Sequence, residues 1–557
     1  MLDEFLREPR VAYFSMEIAL RSEIPTYAGG LGILAGDTLR SAADLSLPLV
    51  AVSLVSRAGY FHQQIDAQGR QVELPATWDP AAWAQRLDAR IAVRIEGRPV
   101  WVGAWAYVLE SDMGGRAPVI LLDTDIAENQ PADREITHYL YGGDDAARLR
   151  QEMVLGLGGA RILQALGFDI SRYHMNEGHA ALLGVELLRR YAYAPADLQP
   201  GDTPYDLPRV RQLCCFTTHT PVEAGHDRFP YELVSRLFDH GGAEMDLATL
   251  KMLGGEDGLN MTRLALHLSE FVNGVAKRHA ETSNRMFPGY HVRAITNGVH
   301  PQTWTAGSFR MLYDHYVPGW SHEPELLTRI DIVPDAAILE AHAQAKRALL
   351  DRVRAATGVE LDAKPALFGF ARRMTAYKRP DLLFSDLERL RQIARERPFQ
   401  VVLAGKAHPH DEEGRRLIEL LHRHMRDLGT AVPVVFLPDY DMEMAQLLVA
   451  GVDVWLNTPL PPLEASGTSG MKAAFNGVPS LSVRDGWWAE GHIEGVTGWA
   501  IEDAGSLYDK LQQVVLPLYY GDPAGWLKVM RGAIGKNAPC FNSHHMMRRY
   551  ATEAYLR

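Results

Sequence analysis

From Ala336 to Leu456 the sequence alternates long amphipathic stretches with short apolar runs, and this alternation restricts the fold more than any other feature. Helix-period segments at Ala336–Ala356, Asp381–Arg395, Glu412–Leu428 and Glu443–Ala450 flank apolar runs at Ala366–Ala371, Gln400–Ala404, Val432–Leu437 and Val452–Leu456. Short apolar runs between helical stretches read as buried parallel strands joined by crossover helices. The spacing predicts an α/β fold whose second half is a doubly wound, Rossmann-like sheet. Ligands of such sheets gather outside the carboxyl ends of the strands. Polar residues that directly follow an apolar run are therefore the first candidates for function.

A chain of 557 residues is too long for one core. The irregular stretch from Trp304 to Asp335, with Pro318, Gly319, Pro324 and Pro334, holds the expected boundary. This gives an N-terminal domain over 1–305, a C-terminal domain over 306–530 and a helical tail over 531–557 that packs back on the N-terminal domain. In the first half a strand at Val11–Phe14 leads into SEIPTYAGGLGILAGD, where Gly29, Gly30 and Gly32 permit close backbone approach to a ligand before a helix begins. Strands are expected at Leu49–Val55, Ile91–Ile95, Val100–Val108 and Val119–Leu122, the middle two as antiparallel excursions, and a long helix at Ala146–Leu166. Three polar junctions then follow apolar runs: Asn176, Glu177 and His179 in YHMNEGH; Thr217 to Thr220, with His219, in QLCCFTTHTP; and Asn297 to Pro301 in RAITNGVHP. A satisfied core histidine explains His179 alone, and Asn-Gly is a common turn dipeptide. Their recurrence points to one ligand-facing edge.

Charge and cysteine content narrow the partners. With 57 basic against 69 acidic residues the net charge is −12, which argues against nucleic acid but leaves room for an anion site if basic residues concentrate in one cleft. Cys214, Cys215 and Cys540 offer neither a disulfide framework nor a CxxC metal site, as expected of a reducing compartment. No apolar run approaches the ~18 residues needed to cross a bilayer, and the N-terminus carries both charge signs, so a cytoplasmic protein with no membrane partner is expected.

Two stretches carry the chemistry. In EASGTSGMKAAFNG, Glu464 to Gly477, the residues Ser466, Gly467, Thr468, Ser469 and Gly470 leave the backbone free to wrap an anion at a helix start. Lys472 follows among Met471, Ala473, Ala474 and Phe475, surroundings that depress an amine's pKa and free it for Schiff-base chemistry. A phosphate cradle with a nucleophilic lysine suggests pyridoxal phosphate; a capped helix with a snorkelling lysine is the plainer alternative. In RRMTAYKRP, Arg372, Arg373, Lys378 and Arg379 follow the apolar ALFGFA without an acid among them, which reads as a second anion site ahead of a helix beginning near Pro380. His408, Pro409 and His410 beside Asp411 fit a turn, and no metal site is expected.

Taken in order, YAGGLG, TTHTP, ITNGVHPQTW, RRMTAYKRP and EASGTSGMK resemble motifs of the α-glucan phosphorylases, the glycogen, starch and maltodextrin phosphorylase family. EASGTSGMK followed by DGWW, Asp485 to Trp488, is similar to its short microbial branch, and the resemblance spans roughly Val11 to Trp488. It implies two Rossmann-like domains facing a deep cleft, the GT-B type of glycosyltransferase architecture. It also implies pyridoxal 5'-phosphate and a reaction in which inorganic phosphate releases the non-reducing terminal glucose of an α-1,4-glucan as glucose 1-phosphate with retained configuration. By the same resemblance Lys472 holds the cofactor, Arg372, Gly467, Thr468 and Ser469 surround its phosphate, and Tyr440 and Trp304 lie near it. Arg373 and Lys378 grip the substrate phosphate together with amides of Gly29 and Gly30. Glu464, Ser466 and Gly467 contact the terminal glucose, with Asn297 and His219 on the opposite wall, the carbonyl of His219 facing the developing oxocarbenium ion. Asn176, Glu177, His179 and Tyr377 complete the glucan-binding set. The cofactor would act through its phosphate as a proton relay, so no carboxylate pair of the glycosidase kind is required. Gly470 and His300 depart from the Asn and Thr of the longer members, and the short chain before YAGGLG puts phosphorylation and nucleotide control in doubt and leaves a homo-oligomer open. A nucleotide-sugar glucosyltransferase resembling glycogen synthase and a non-catalytic glucan-binding protein are the competing readings.

Overall fold

The runs at Ala366–Ala371 and Phe399–Ala404 offer no polar face to water, and both are buried along their whole length in the middle of a six-stranded sheet. The computed structural model describes residues 2–199, 203–222, 225–238 and 246–556, a mixed α/β chain with two large sheets. The six strands lie in the order Val434–Leu437, Phe399–Ala404, Ala366–Ala371, Val454–Asn457, Ser480–Val483, Gly498–Ile501, and every neighbouring pair is parallel. Numbered along the chain this order is 3-2-1-4-5-6. Winding therefore reverses between Ala366–Ala371 and Val454–Asn457, where the crossovers leave to opposite faces and a crevice opens at the carboxyl ends.

The other sheet has ten strands and is mixed. From Arg293–Ala294 through Phe271–Gly274, Cys214–Thr217, Ile170–Asn176, Arg10–Ser15 and Leu49–Leu54 to Arg116–Asp123 the pairing is parallel. Arg98–Glu110 then joins antiparallel and carries Gln85–Arg86 and Ile91–Ile95 in the same sense. A second reversal falls between Arg10–Ser15 and Ile170–Asn176. Strand alternation divides the core. Ala12, Phe14, Val50 and Val52 pack on one face with Leu155, Leu163 and Leu183, while Tyr13, Leu49 and Ala51 pack on the other with Leu34 and Leu39 of the Gly30–Asp44 helix and with Met546 and Met547.

Two helices differ from the sequence reading. The helix expected near Pro380 begins only at Leu387, after a 3-10 turn at Leu382–Phe384, because the Asp386 carboxylate accepts the Arg389 amide and caps the helix there. The helix expected over Ala146–Leu166 widens into a π turn at Val154–Gly158, flanked by α segments Asp145–Met153 and Gly159–Ala165. Gly156 lets this segment approach closely, since a Cβ there would lie 2.6 Å from the Leu183 amide nitrogen. No helix among the described residues is long and apolar enough to cross a membrane.

The last helix, Ser543–Tyr550, lies against the ten-stranded sheet. Ser543 donates its amide to the Val299 carbonyl at 2.9 Å, and its hydroxyl meets that of Ser41 at 2.6 Å. Tyr550 reaches Thr217 and Asn273 at the strand ends, and Tyr555 reaches His174. Asp44 receives Nε2 of His300 at 2.6 Å, Nε2 of His544 at 2.8 Å and the Ser111 hydroxyl. These three ligand-type side chains are buried with their ligating atoms within 4.8 Å of one another. The Thr303 amide donates to Nδ1 of His300, which places that ring's proton on Nε2, facing Asp44. The cluster thus reads as a hydrogen-bonded joint between the Gly30–Asp44 helix, the 297–304 loop and the last helix. Burial opposes the charge on Asp44, yet the two imidazoles hold its carboxyl well below the usual range.

Gly298 tests this packing, because a Cβ there would fall 2.1 Å from the Asn542 carbonyl carbon. Gly298→Ala should destabilise the protein by about 1–3 kcal/mol, read as a lower midpoint in denaturant. An unchanged midpoint contradicts the close approach of the last helix.

Candidate functional site

The six-stranded sheet delivers Arg372 and Asn457 to its crevice from the two strands that flank the reversal. Beyond Ala371 the chain stays on the sheet, with the Arg372 amide on Ala404 and the Met374 amide on Lys406, and then tightens into a 3-10 turn at Ala376–Lys378. Arg379 clips this turn down by donating to the Thr458 and Pro459 carbonyls, so its charge serves the backbone. Arg372 donates Nη1 to Asn457 at 3.1 Å and Nη2 to Glu464 at 2.6 Å. Lys378 donates Nζ to both oxygens of Glu464, at 2.8 and 2.7 Å. Burial by itself would raise the Glu464 carboxyl, but these two cations hold it down to about 2. The Glu464 amide is fixed by the Asp485 carboxylate at 2.9 Å, and Trp487 donates its amide to the Ser466 carbonyl at 2.8 Å. DGWW is thus the brace that shapes the Glu464–Gly467 loop.

Arg373 and Lys378, expected together on the substrate phosphate, have different internal partners. Lys378 shares Glu464 with Arg372, whereas Arg373 is exposed and makes no hydrogen bond or ion pair with any described residue. Burial raises the phenol of Tyr60, with the charge of Arg373 opposing the shift and that of Glu17 adding to it. Tyr377 lies beside Lys378, whose Nζ is 4.4 Å from its ring centroid.

Lys472 sits in the short helix Ser469–Ala474, which follows Gly467 at φ +77°. Gly470 lies too close to its neighbours for a side chain, because a Cβ would lie 2.6 Å from the Trp487 ring. The Lys472 Nζ stands 3.6 Å from the centroid of Trp304 and makes no hydrogen bond to a described residue. Burial lowers its pKa to about 8, with Asp37 opposing the shift and Arg40 adding to it. Asn476 donates to the carbonyls of both Trp304 and Lys472, at 2.8 and 3.0 Å, and accepts the Ala306 amide. Ser469 accepts from the Trp455 indole, and Thr468 caps the helix without a side-chain bond. Tyr440 lies partly buried nearby, its phenol raised by burial and then by Tyr27, with Arg372 opposing.

At the reversal of the ten-stranded sheet, Asn176 donates to Ser15 and accepts Nε2 of His219 at 2.6 Å. Glu177, at φ +75°, accepts the amides of Gly178 and His219 and the Thr220 hydroxyl. Burial raises its carboxyl, and it drives His219 down to about 3, so His219 is neutral near pH 7. His179 has its Nε2 3.4 Å from Asp227. Asn297 is buried with Oδ1 unpartnered among the described residues. Glu17, which the sequence reading did not single out, accepts the Ala28 amide at 2.6 Å, the Gly29 amide at 3.1 Å and the Tyr141 hydroxyl at 2.8 Å. The Gly29 amide is therefore engaged within the protein. The amides of Gly30, Leu31 and Gly32 have no partner among the described residues, and a Cβ on Gly29 or Gly30 would meet nothing within 4 Å. The one sequence signal for Glu17 was its place just after an apolar strand.

Several orphaned groups suit a phosphorylated aldehyde. Among the described residues the buried Arg372 Nε and Ser466 hydroxyl have no partner, the amides of Ser469 to Met471 have none either, and Lys472 carries a lowered pKa with no competing hydrogen bond. Glu464→Gln would strand two buried cations and should cost about 3–5 kcal/mol in phosphate-free buffer, part of it regained on adding phosphate. The folded Glu464 pKa lies below the unfolded value of about 4.3, so its contribution is full above that value and is lost as pH falls toward about 2. Denaturant unfolding at about pH 6 and about pH 3 should show wild type losing this advantage over the variant; parallel behaviour contradicts the triad's role.

A parallel six-stranded sheet with Arg372 and Lys378 at its reversal, beside a mixed ten-stranded sheet with Glu17 and Glu177 at its own, defines a mixed α/β protein with a charged crevice. The carbohydrate phosphorylase family model matches residues 168–494. The chain is similar to maltodextrin phosphorylase of Thermococcus litoralis, 37% identical over 98% of this chain and 70% of that protein. It is likewise similar to glycogen phosphorylase of Aquifex aeolicus, 35% identical over 98% and 86%, and to glycogen phosphorylase of Mycobacterium tuberculosis, 38% identical over 98% and 70%. The chain belongs to the carbohydrate phosphorylase family.

Proposed function

We propose that the protein is an α-glucan phosphorylase, which moves the non-reducing terminal glucosyl unit of an α-1,4-glucan to inorganic phosphate and releases glucose 1-phosphate. The observation that carries this is the buried amine of Lys472, without a hydrogen bond among the described residues, eight positions after the Glu464 carboxylate that Arg372 and Lys378 share, in a member of this family. In this reading residues 1–305 and 306–530 are two Rossmann-like domains facing a deep cleft, and 531–557 is the returning tail.

Pyridoxal 5'-phosphate would be held by Lys472, with Arg372, Gly467, Thr468 and Ser469 around its phosphate and Trp304 and Tyr440 against its ring. When bound it supplies a phosphate group able to pass a proton. The chain's own residues do the rest. Arg373 and Lys378, with the amide of Gly30, bind the substrate phosphate and stabilise its charge while the glucosidic bond breaks. The bond from C1 to the glucan oxygen breaks, a bond from C1 to a phosphate oxygen forms, and the proton carried by phosphate goes to the departing glucan oxygen. Glu464, Ser466 and Gly467 hold the terminal glucose on one wall, and Asn297 and His219 hold it on the other. A neutral His219, whose Nε2 proton is directed to Asn176, can bond to a sugar hydroxyl without competing as an acid. Asn176, Glu177, His179 and Tyr377 serve the acceptor glucan.

Incubation with maltoheptaose and phosphate should yield glucose 1-phosphate. Lys378→Ala should lower kcat about 10²–10³-fold, and Lys472→Ala should abolish product. If instead a nucleoside diphosphate glucose elongates maltoheptaose and phosphate yields no product, the glucosyltransferase reading replaces this one.

A further inference from the structure

We propose that Asp37 is a positioning residue for Lys472, acting through the indole of Trp304; this rests on Lys472 being the cofactor-holding lysine. Asp37 lies within the Gly30–Asp44 helix and is 1% exposed. Its Oδ2 accepts the Trp304 indole N–H at 2.8 Å, and its Oδ1 has no hydrogen-bond partner among the described residues. The nearest cation, Arg40, stands 3.7 Å from Oδ1 and spends Nη2 on the Leu20 carbonyl at 2.7 Å, leaving Nη1 unpartnered. A buried carboxylate compensated by one neutral hydrogen bond and one loose ion pair destabilises a fold more than it supports it. Its use lies in what it orients.

That object is the indole. One edge of the Trp304 ring is tied to Asp37, one face receives the Lys472 Nζ at 3.6 Å, and its backbone shares Asn476 with the backbone of Lys472. Ring, lysine and carboxylate form one frame across segments 37, 304 and 472. Accepting the indole N–H fixes the ring plane and makes its face more attractive to an ammonium. The charged groups acting on Lys472 are Asp37, which favours the ammonium, and Arg40, which opposes it; burial outweighs both. Asp37 therefore keeps the amine seated on the ring and sets the pH at which it becomes a free nucleophile. Attachment is a condensation: the unprotonated lysine nitrogen bonds to the aldehyde carbon of pyridoxal phosphate, and the aldehyde oxygen leaves as water with both amine protons. Nothing is oxidised or reduced.

The test uses full-length protein stripped of cofactor, mixed with pyridoxal phosphate over a range of pH. The linkage is followed by its absorption band, and borohydride trapping with peptide mass analysis assigns it to Lys472. Asp37→Asn keeps an acceptor for the indole and removes the charge, so the midpoint of linkage formation should move down by about one pH unit with the high-pH rate within about twofold of wild type. Asp37→Ala unpins the ring and should lower that high-pH rate about tenfold, an effect Asn rescues. Trp304→Phe should match the loss in Asp37→Ala, and the double variant should be no slower than either single one. An unshifted midpoint in Asp37→Asn, or additive losses in the double variant, overturns the proposal. A wild-type protein that forms no linkage on Lys472 overturns the underlying assignment of that lysine, and this proposal with it.

Discussion

Glu464 compensates two buried cations at once, and the rest of the site depends on that arrangement. Arg372 arrives from the end of one central strand and Lys378 from the turn beyond it, while Glu464 comes from a loop 92 residues after Arg372. Neither cation could remain buried without the carboxylate, and the carboxylate could not remain ionised without them. The reversal in strand order makes the meeting possible, because it brings Ala366–Ala371 beside Val454–Asn457. Two cations that hold an internal carboxylate in place can also exchange it for another anion. Asn457 and the unpartnered Nε leave Arg372 with donor capacity directed elsewhere than Glu464.

The ten-stranded sheet repeats the logic with opposite charge. Glu17 and Glu177 are buried carboxylates at its reversal, and each organises backbone amides: Glu17 those of Ala28 and Gly29, Glu177 those of Gly178 and His219. The acids shape the loops and leave the first-turn amides beyond Gly29 available. The halves meet through Asn476 and the Trp304 carbonyl, through Tyr27 and the Met442 amide, and through the hairpin carrying Gln63 and Gln71, which pairs with Asp439, Gly405 and Ala407. The last helix closes the frame by joining the 297–304 loop to the Gly30–Asp44 helix.

Periodicity made the second sheet legible. Ala366–Ala371 and Glu412–Leu428 have the bounds their apolar patterns indicate, since burial on both strand faces or on one helical stripe leaves a local signature. The apolar neighbours of Lys472 likewise announced a desolvated amine. Partnerships over long sequence separations left no such trace. Nothing local distinguishes Arg373, exposed and unpaired among the described residues, from Arg372, which is held by Glu464, or marks Asp37 in mid-helix as the partner of an indole 267 residues away. The late start at Leu387 was missed because an Asp cap outweighed a proline signal, and the π turn because its glycines answer to packing against Leu183.

In the proposed phosphorylase the crevice held by Glu464 is a phosphate receptor into which Arg372 can turn. A crystal structure of the protein with pyridoxal 5'-phosphate and orthophosphate addresses it most directly. The expected result is a cofactor joined to Lys472, its phosphate bonded to Arg372, and the orthophosphate on Arg373, Lys378 and the Gly30 amide. Both phosphates lying away from these residues, with Arg372 still bonded only to Glu464 and Asn457, would contradict it.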